Sequence, residues 1–564
     1  MKHRAIYPVF AAAAAAMILG SVRAGACSNI LITKGASSDG SCMISYAADS
    51  HQLFGELYFR KGGRHAAGAM RQIRDWDSNR WLGEIPEAPV TYQRVGNLNE
   101  KQLIIAETTY GGREELYEGE GIIDYGSLIY LALERCSTAR EAIAFMADIT
   151  SQYGYVSEGE SFSIADKDEV WVMDLIGKGS FGKGMVWVAR RVPDGCICSH
   201  ANQSRITTFP LDDPENCLYA PDVIDFARER GWFSGEDSEF SFCDAYNPVD
   251  FGGMRGCDAR AWSAFNRLCD GQFTFIDENG EEVTRPAMDY VEYAMGHDAS
   301  KRFPLFVKPS RKLSVKDVAD AMRDHYEGTP MDMTTDIGAG GNACPYRWRP
   351  MYFEAGGRTY CNERAIATQQ TGFWFVGQSR GWLPDHIGAV DWFGTDDAAT
   401  SVLTPIYVCT RKVPDCFAEG NGDMLTYSDN AFFWICNRVA NACYRMYDHM
   451  APFVRERADA WENARIAELP SIDEKALKMG RCRARRYLTK YSVKTAQEIF
   501  SQWRDMEKLL LVKFIDGNIK AQNGDGSFVT NGYGNIPEDI SQPGYTEVWK
   551  EAVAHSHGDV VEVR

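Results

Sequence analysis

The residue that most constrains this chain is Cys27, because of what stands in front of it. Lys2 and Arg4 lead into an apolar run from Ile6 to Gly20, and Ala24-Gly25-Ala26 follows. A basic start, a short apolar stretch and a small-x-small triplet make a secretory leader, and a run of that length falls short of a membrane span. The pattern predicts a leader over residues 1–26, cleavage after Ala26, and a mature chain that begins at Cys27. It also predicts an exported protein, periplasmic or secreted, with no later stretch long and apolar enough to span a membrane.

Two chemistries use a cysteine at a newly made N-terminus. In a lipoprotein the thiol takes a diacylglycerol and the amine is acylated, which would make the chain a lipid-anchored surface binding protein; Ala24 stands where a Leu-like residue is usual. In an N-terminal nucleophile hydrolase the thiol attacks, and the α-amine of the same residue, with an ordinary pKa of about 7.7–8.0, serves as general base. Lipidation consumes both groups, so the two fates exclude each other. In a third reading cleavage falls a few residues away and Cys27 is structural. On these residues alone the three stand level.

Composition removes other classes. With 45% hydrophobic and 24% charged residues the chain is an ordinary globular one. Its 78 acidic against 60 basic residues give a net charge of −18, which repels phosphate backbones and argues against a nucleic-acid partner. The histidines show no zinc-site spacing and there is no Gly-x-Ser-x-Gly elbow, so neither a metal nor another cofactor is expected. Gly177-Lys178-Gly179-Ser180-Phe181-Gly182-Lys183 nearly spells a phosphate-binding loop, but Gly184 stands where Ser or Thr would hold magnesium. The segment reads as a hairpin loop. Cys196-Ile197-Cys198 puts two thiols on one face of a strand, as packing or as half of a disulfide.

Periodicity gives the fold class. Ser28–Thr33 and Cys42–Tyr46 form a hairpin around Ser37-Ser38-Asp39-Gly40, and strands follow near 102–109, 169–176, 185–192 and 196–198. A helix runs through Leu128–Leu133, and Thr138-Ala139-Arg140-Glu141 opens another with a capping box. A helix from Ser314 carries Val315, Val318, Ala319 and Met322 on one face. Paired strands alternating with helices predict an α+β fold, an antiparallel sheet core covered by helices. A catalytic domain over 27–430 is expected, with a mainly helical region over 431–564, interrupted at Pro452 and Pro470 and packed on it.

The segment Cys27–Asp49, CSNILITKGASSDGSCMISYAAD, resembles the start of the C69 dipeptidases, N-terminal nucleophile hydrolases related to penicillin V acylases and conjugated bile acid hydrolases. NLNEKQLIIAETTYGGR (97–113), SFSIADKDEVWVMDLIGKG (161–179), SHANQSRI (199–206), HYEGTPMDMTTDIGAG (325–340), PYRWRPM and ERAIATQQTGFWFVGQSRGWLPD (363–385) resemble the same family, in the same order. The resemblance implies a four-layer αββα sandwich with a helical C-terminal extension, dipeptide substrates and a free N-terminal Cys nucleophile working without metal. Residue by residue, it makes Cys27 the nucleophile and Asp49 the acid that orients its amine; on spacing alone Asp49 reads as well as a turn residue. Asn202 corresponds to an oxyanion donor. Thr109 stands where the acylases have a second donor asparagine, and offers a hydroxyl or a backbone N–H. Arg260, in CDARAW, corresponds to an arginine near the acylase nucleophile and otherwise reads as a surface ion-pair residue. Tyr46 departs from the acylases, which carry an arginine there; a tyrosine brings no permanent cation to the thiol.

The resulting expectation is an exported cysteine-type dipeptidase. Its substrate's free ammonium needs a countercharge, from Glu107 or another acid that the sequence does not single out. The alternative within enzymes is an amidase on N-acyl amino acids, bile salt conjugates or penicillin-like amides.

Overall fold

The computed structural model describes residues 27–117 and 119–563, so the leader and cleavage point expected at 1–26 lie outside the described residues. The chain is a mixture of sheets and helices built on two antiparallel sheets, neither closing into a barrel. The seven-stranded sheet runs in the order Phe306–Val307, Ile197–His200, Ser28–Ile32, Cys42–Asp49, Thr371–Ser379, Ala389–Thr395, Thr404–Tyr407. The eight-stranded sheet runs Cys217–Tyr219, Met185–Arg191, Val170–Gly177, Gly159–Ala165, Ile104–Tyr110, Leu98–Asn99, Arg94–Val95, Phe59–Arg60.

The central strands are buried along their whole length because both of their faces are covered. Successive side chains leave a strand on opposite sides. Leu31, Ile44 and Tyr46 of one sheet meet Ile104, Ala106 and Val172 of the other in a shared core. Their neighbours Ile105, Phe162, Ile164 and Trp171 pack instead under the helices Tyr125–Arg135 and Ala139–Tyr153. On the far side of the seven-stranded sheet, Ile30, Ile32, Met43 and Trp374 pack under Ala259–Leu268 and Val315–Ala321, with Leu469, Ile472 and Leu488 from the C-terminal helices.

Several local expectations are refined. Ser314 caps its helix in a full capping box with Asp317, and Val315, Val318, Ala319 and Met322 are all buried. The Thr138 box is only half formed: the Thr138 hydroxyl accepts from Glu141 N–H at 3.2 Å, but the Glu141 carboxylate takes the Ser137 N–H at 2.7 Å. Residues 177–184 join two antiparallel strands as a hairpin. All sixteen cysteines are free thiols, Cys196 and Cys198 among them.

The expected breaks at Pro452 and Pro470 are absent; one helix runs Tyr447–Leu477 through both. Each proline removes one backbone hydrogen bond and costs a helix interior about 3 kcal/mol. Burying Leu469 and Ile472 returns about 1.5–3 kcal/mol each, enough to carry the helix across Pro470. Ion pairs also anchor it to the sheet side: Arg323 to Glu462, and Arg380 to Asp473, which also accepts from Tyr407 Oη at 2.6 Å.

Candidate active site

Cys27 immediately precedes the strand Ser28–Ile32, which is flanked by Ile197–His200 and Cys42–Asp49. It therefore sits at the end of an interior strand, between the sheets, with 7% of its surface exposed. Its Sγ lies 3.6 Å from Tyr46 Oη and 3.9 Å from Glu107 Oε1. Tyr46 donates to that same Glu107 oxygen at 2.6 Å. The edges of Phe373 and Phe375, each with ring centroids 5.8 Å away, keep the Tyr46 ring upright.

Arg260 is not a surface residue. It is 1% exposed on the helix Ala259–Leu268, which follows a π-helical turn at Gly253–Asp258. Its guanidinium donates to the Cys27 carbonyl at 2.6 Å, Ser28 Oγ at 3.0 Å, the Ala201 carbonyl at 3.1 Å and Asn202 Oδ1 at 2.9 Å. A rigid fork of donors suits such a task, and a lysine could not fill all four positions at once. Asn202 follows Ile197–His200 with φ of 65°, a left-handed conformation that asparagine adopts more readily than most residues. That turn aims its amide at the Thr109 carbonyl, 2.5 Å away. The Thr109 hydroxyl is directed elsewhere, toward Glu160 Oε1 at 3.0 Å and Glu107 Oε2 at 3.5 Å.

Asp49 ends the strand Cys42–Asp49, where a register shift against Thr371 re-aims the chain. It is a strand-end residue in the interior, 1% exposed, and its carboxylate accepts from Arg364 at 2.6 Å and from Thr371 Oγ1 at 2.7 Å. Burial pushes the Asp49 carboxyl up, while Arg364 and the Thr371 hydroxyl act against it.

Burial, and then the charges of Glu107 and Asp49, hold the Cys27 thiol well above the usual thiol range, against the Asp49 backbone N–H and the Tyr46 hydroxyl. The resting sulfur is a thiol and needs a base. Burial also raises Glu107, against hydrogen bonds from Glu160 and Tyr46, and raises Glu160 further because Glu107 stands beside it. Two carboxyls this close cannot both ionise. Burial and mutual repulsion therefore favour the protonated form in this pair, and the two do not carry two charges at once.

The five residues singled out from sequence meet around one point. Arg260 ties Cys27 to Asn202, Asn202 ties on to Thr109, and Asp49 stands near enough for its charge to act on the thiol. Glu160 and Arg364 were missed. Arg364 lies inside the 363–385 motif, but nothing in its sequence neighbourhood marks it as buried. His200, next to Asn29 in register, is bonded on both ring nitrogens, to Thr108 Oγ1 and Ser163 Oγ at 2.7 Å each. Burial and nearby Arg205 lower it to about 3, so it is neutral and structural. Among the described residues no three His, Cys, Asp or Glu side chains stand close enough to hold a metal ion, and no helix is long and apolar enough to cross a membrane.

Comparison with known proteins matches residues 65–460 to the model of peptidase family C69. Thr109, Asn202 and Arg260 fall inside the match; Cys27 and Asp49 precede it. A probable dipeptidase of Salmonella dublin is 26% identical, covering 70% of this chain and 83% of its own. A probable dipeptidase A of Streptococcus pyogenes serotype M1 is 25% identical over 75% of this chain and 83% of its own. A dipeptidase of Bifidobacterium longum is 23% identical over 81% of this chain and 84% of its own.

Proposed function

The chain belongs to peptidase family C69, and on that premise we propose that it is an exported cysteine-type dipeptidase whose nucleophile is an N-terminal Cys27. Cleavage after Ala26 would free the α-amine of Cys27. The amine takes the thiol proton, and Sγ attacks the carbonyl carbon of the dipeptide's peptide bond. Asn202, with the backbone N–H of Thr109, donates to the oxyanion. The tetrahedral species collapses as the ammonium of Cys27 protonates the departing nitrogen, which leaves as the C-terminal amino acid. Water, deprotonated by the same amine, then hydrolyses the thioester and releases the N-terminal amino acid.

Asp49 orients the amine, and because Arg364 already balances its charge it steers the base more than it alters its strength. Arg260 does not touch the sulfur; through the Cys27 carbonyl it fixes the nucleophile's backbone and, through Asn202, the oxyanion donor. In this reading the two sheets and their outer helices form the four-layer αββα sandwich of N-terminal nucleophile hydrolases, and the C-terminal helices are an extension packed on it.

The observation that carries the reading is that single guanidinium, joined to the carbonyl of Cys27 and to Asn202 from 233 and 58 residues away. A purely structural Cys27 gives no reason for a buried arginine to hold it in register with an amide donor. The test is hydrolysis of a panel of unblocked dipeptides by the exported protein and by Cys27→Ala. Turnover confined to the wild type supports the proposal; equal turnover by Cys27→Ala overturns it.

A further inference from the structure

Most buried acids of this protein have their countercharge or their donors in the fold. Asp49 has Arg364, Asp324 has Arg267, and Asp174 accepts from Ser161, Ser204 and the backbone N–H groups of Arg205 and Ile206. Glu107 and Glu160 differ in standing beside each other as a buried carboxyl pair. They are 2% and 0% exposed, yet among the described residues neither forms an ion pair with any Lys, Arg or His. Glu107 has the hydroxyls of Tyr46 and Thr109 and the Cys27 thiol; Glu160 has the Thr109 hydroxyl, and its Oε2 meets no N–H or O–H donor. A buried carboxyl pair with no cation beside it can ionise only at high cost unless a cation arrives to meet it.

The position of the pair says which cation. In a peptide with a free N-terminus, the α-nitrogen lies about 2.5 Å from the carbonyl carbon to be attacked, across two bonds of ordinary length. Attack starts with the nucleophile about 3–3.5 Å from that carbon. An ammonium hydrogen-bonded to Glu107 Oε1, itself 3.9 Å from Cys27 Sγ, satisfies both distances together.

Resting on the dipeptidase reading, we propose that Glu107 and Glu160 form the subsite for the α-ammonium of the substrate's N-terminal residue, and so select peptides with an unblocked amino end. Glu107 receives the ammonium directly; Glu160 is the positioning residue behind it, reached through Thr109. Occupation of the subsite also cancels the negative charge facing the thiol, so the sulfur becomes easier to ionise only once a substrate with an ammonium is bound.

The experiment compares kcat/KM for the best-cleaved dipeptide of a panel with its des-amino analogue, in which hydrogen replaces the α-ammonium. Sites built around a buried polar partner reject ligands that lack it, and wild-type discrimination of about a hundredfold or more is expected. In Glu107→Gln this ratio should fall toward one, whereas Glu160→Gln, which leaves the carboxylate of Glu107 in place, should keep most of it. A wild-type ratio near one overturns the subsite without any variant being made. A large ratio left unchanged in Glu107→Gln overturns it too, and points to the pair serving Cys27's own amine instead. If the wild type cleaves the des-amino amides and no dipeptide, the dipeptidase reading falls first and the subsite with it.

Discussion

The Arg364 guanidinium holds the Asp49 carboxylate at 2.6 Å across 315 residues of chain, with side-chain exposures of 7% and 0%. Removing one member of such a pair strands the other charge in the interior. Arg364→Met should therefore destabilise the protein by about 3–5 kcal/mol in urea unfolding. Asp49→Asn on that background should restore part of the stability and none of the activity. Recovery of activity in the double variant would remove Asp49 from the mechanism.

For the nucleophile the expected order is wild type, then Cys27→Ser with most activity gone, then Cys27→Ala with none. A serine keeps an oxygen nucleophile but one far less readily ionised. Initial rates on an unblocked dipeptide check the series, and full activity in Cys27→Ala would sink it.

Asn202 is proposed as a donor to the oxyanion, and loss of one such donor typically costs about 10²–10³ in kcat. Asn202→Ala should show that loss with little change in KM, since the interaction forms at the transition state. A drop confined to KM would make Asn202 a substrate-binding residue.

His200 gives a pH signature in stability. Its folded-state value of about 3 lies below the ordinary 6.5, so between those values the unfolded chain binds a proton that the folded chain does not. Stability should then fall as pH drops from 6.5 toward 3, with this one group contributing up to about 1.4 kcal/mol per pH unit. Buried Asp396, raised to about 8, works in the opposite sense from about pH 4 upward, as an acid kept neutral by burial. Comparing the wild type with His200→Gln isolates the histidine: the slope of unfolding free energy between pH 6.5 and 4 should be shallower in the variant. Equal slopes would mean that His200 titrates alike in both states.

Much of the site's frame was legible in the sequence. The apolar alternation and the Ser37–Gly40 turn put Cys27 at the head of a hairpin, and the family motifs pointed to Asn202, Thr109 and Arg260. What was not legible depends on contacts between distant segments. Arg364 meets Asp49 only because the strand beginning at Thr371 lies beside Cys42–Asp49, and Glu160 meets Glu107 only through the register that sets Glu160 opposite Thr109. Burial hides as well: Arg260 has the composition of a surface residue and the environment of an interior one. The helix through Pro452 and Pro470 defied a local rule because tertiary packing outweighed it.

The most direct measurement is the mass of the N-terminal peptide of the protein recovered from an exporting host. The mechanism requires a chain that begins at Cys27 with amine and thiol both unmodified, and that is the predicted mass. A diacylglyceryl or acyl adduct on Cys27, or a chain that starts at any other residue, would contradict it, because the nucleophile and its base would not exist.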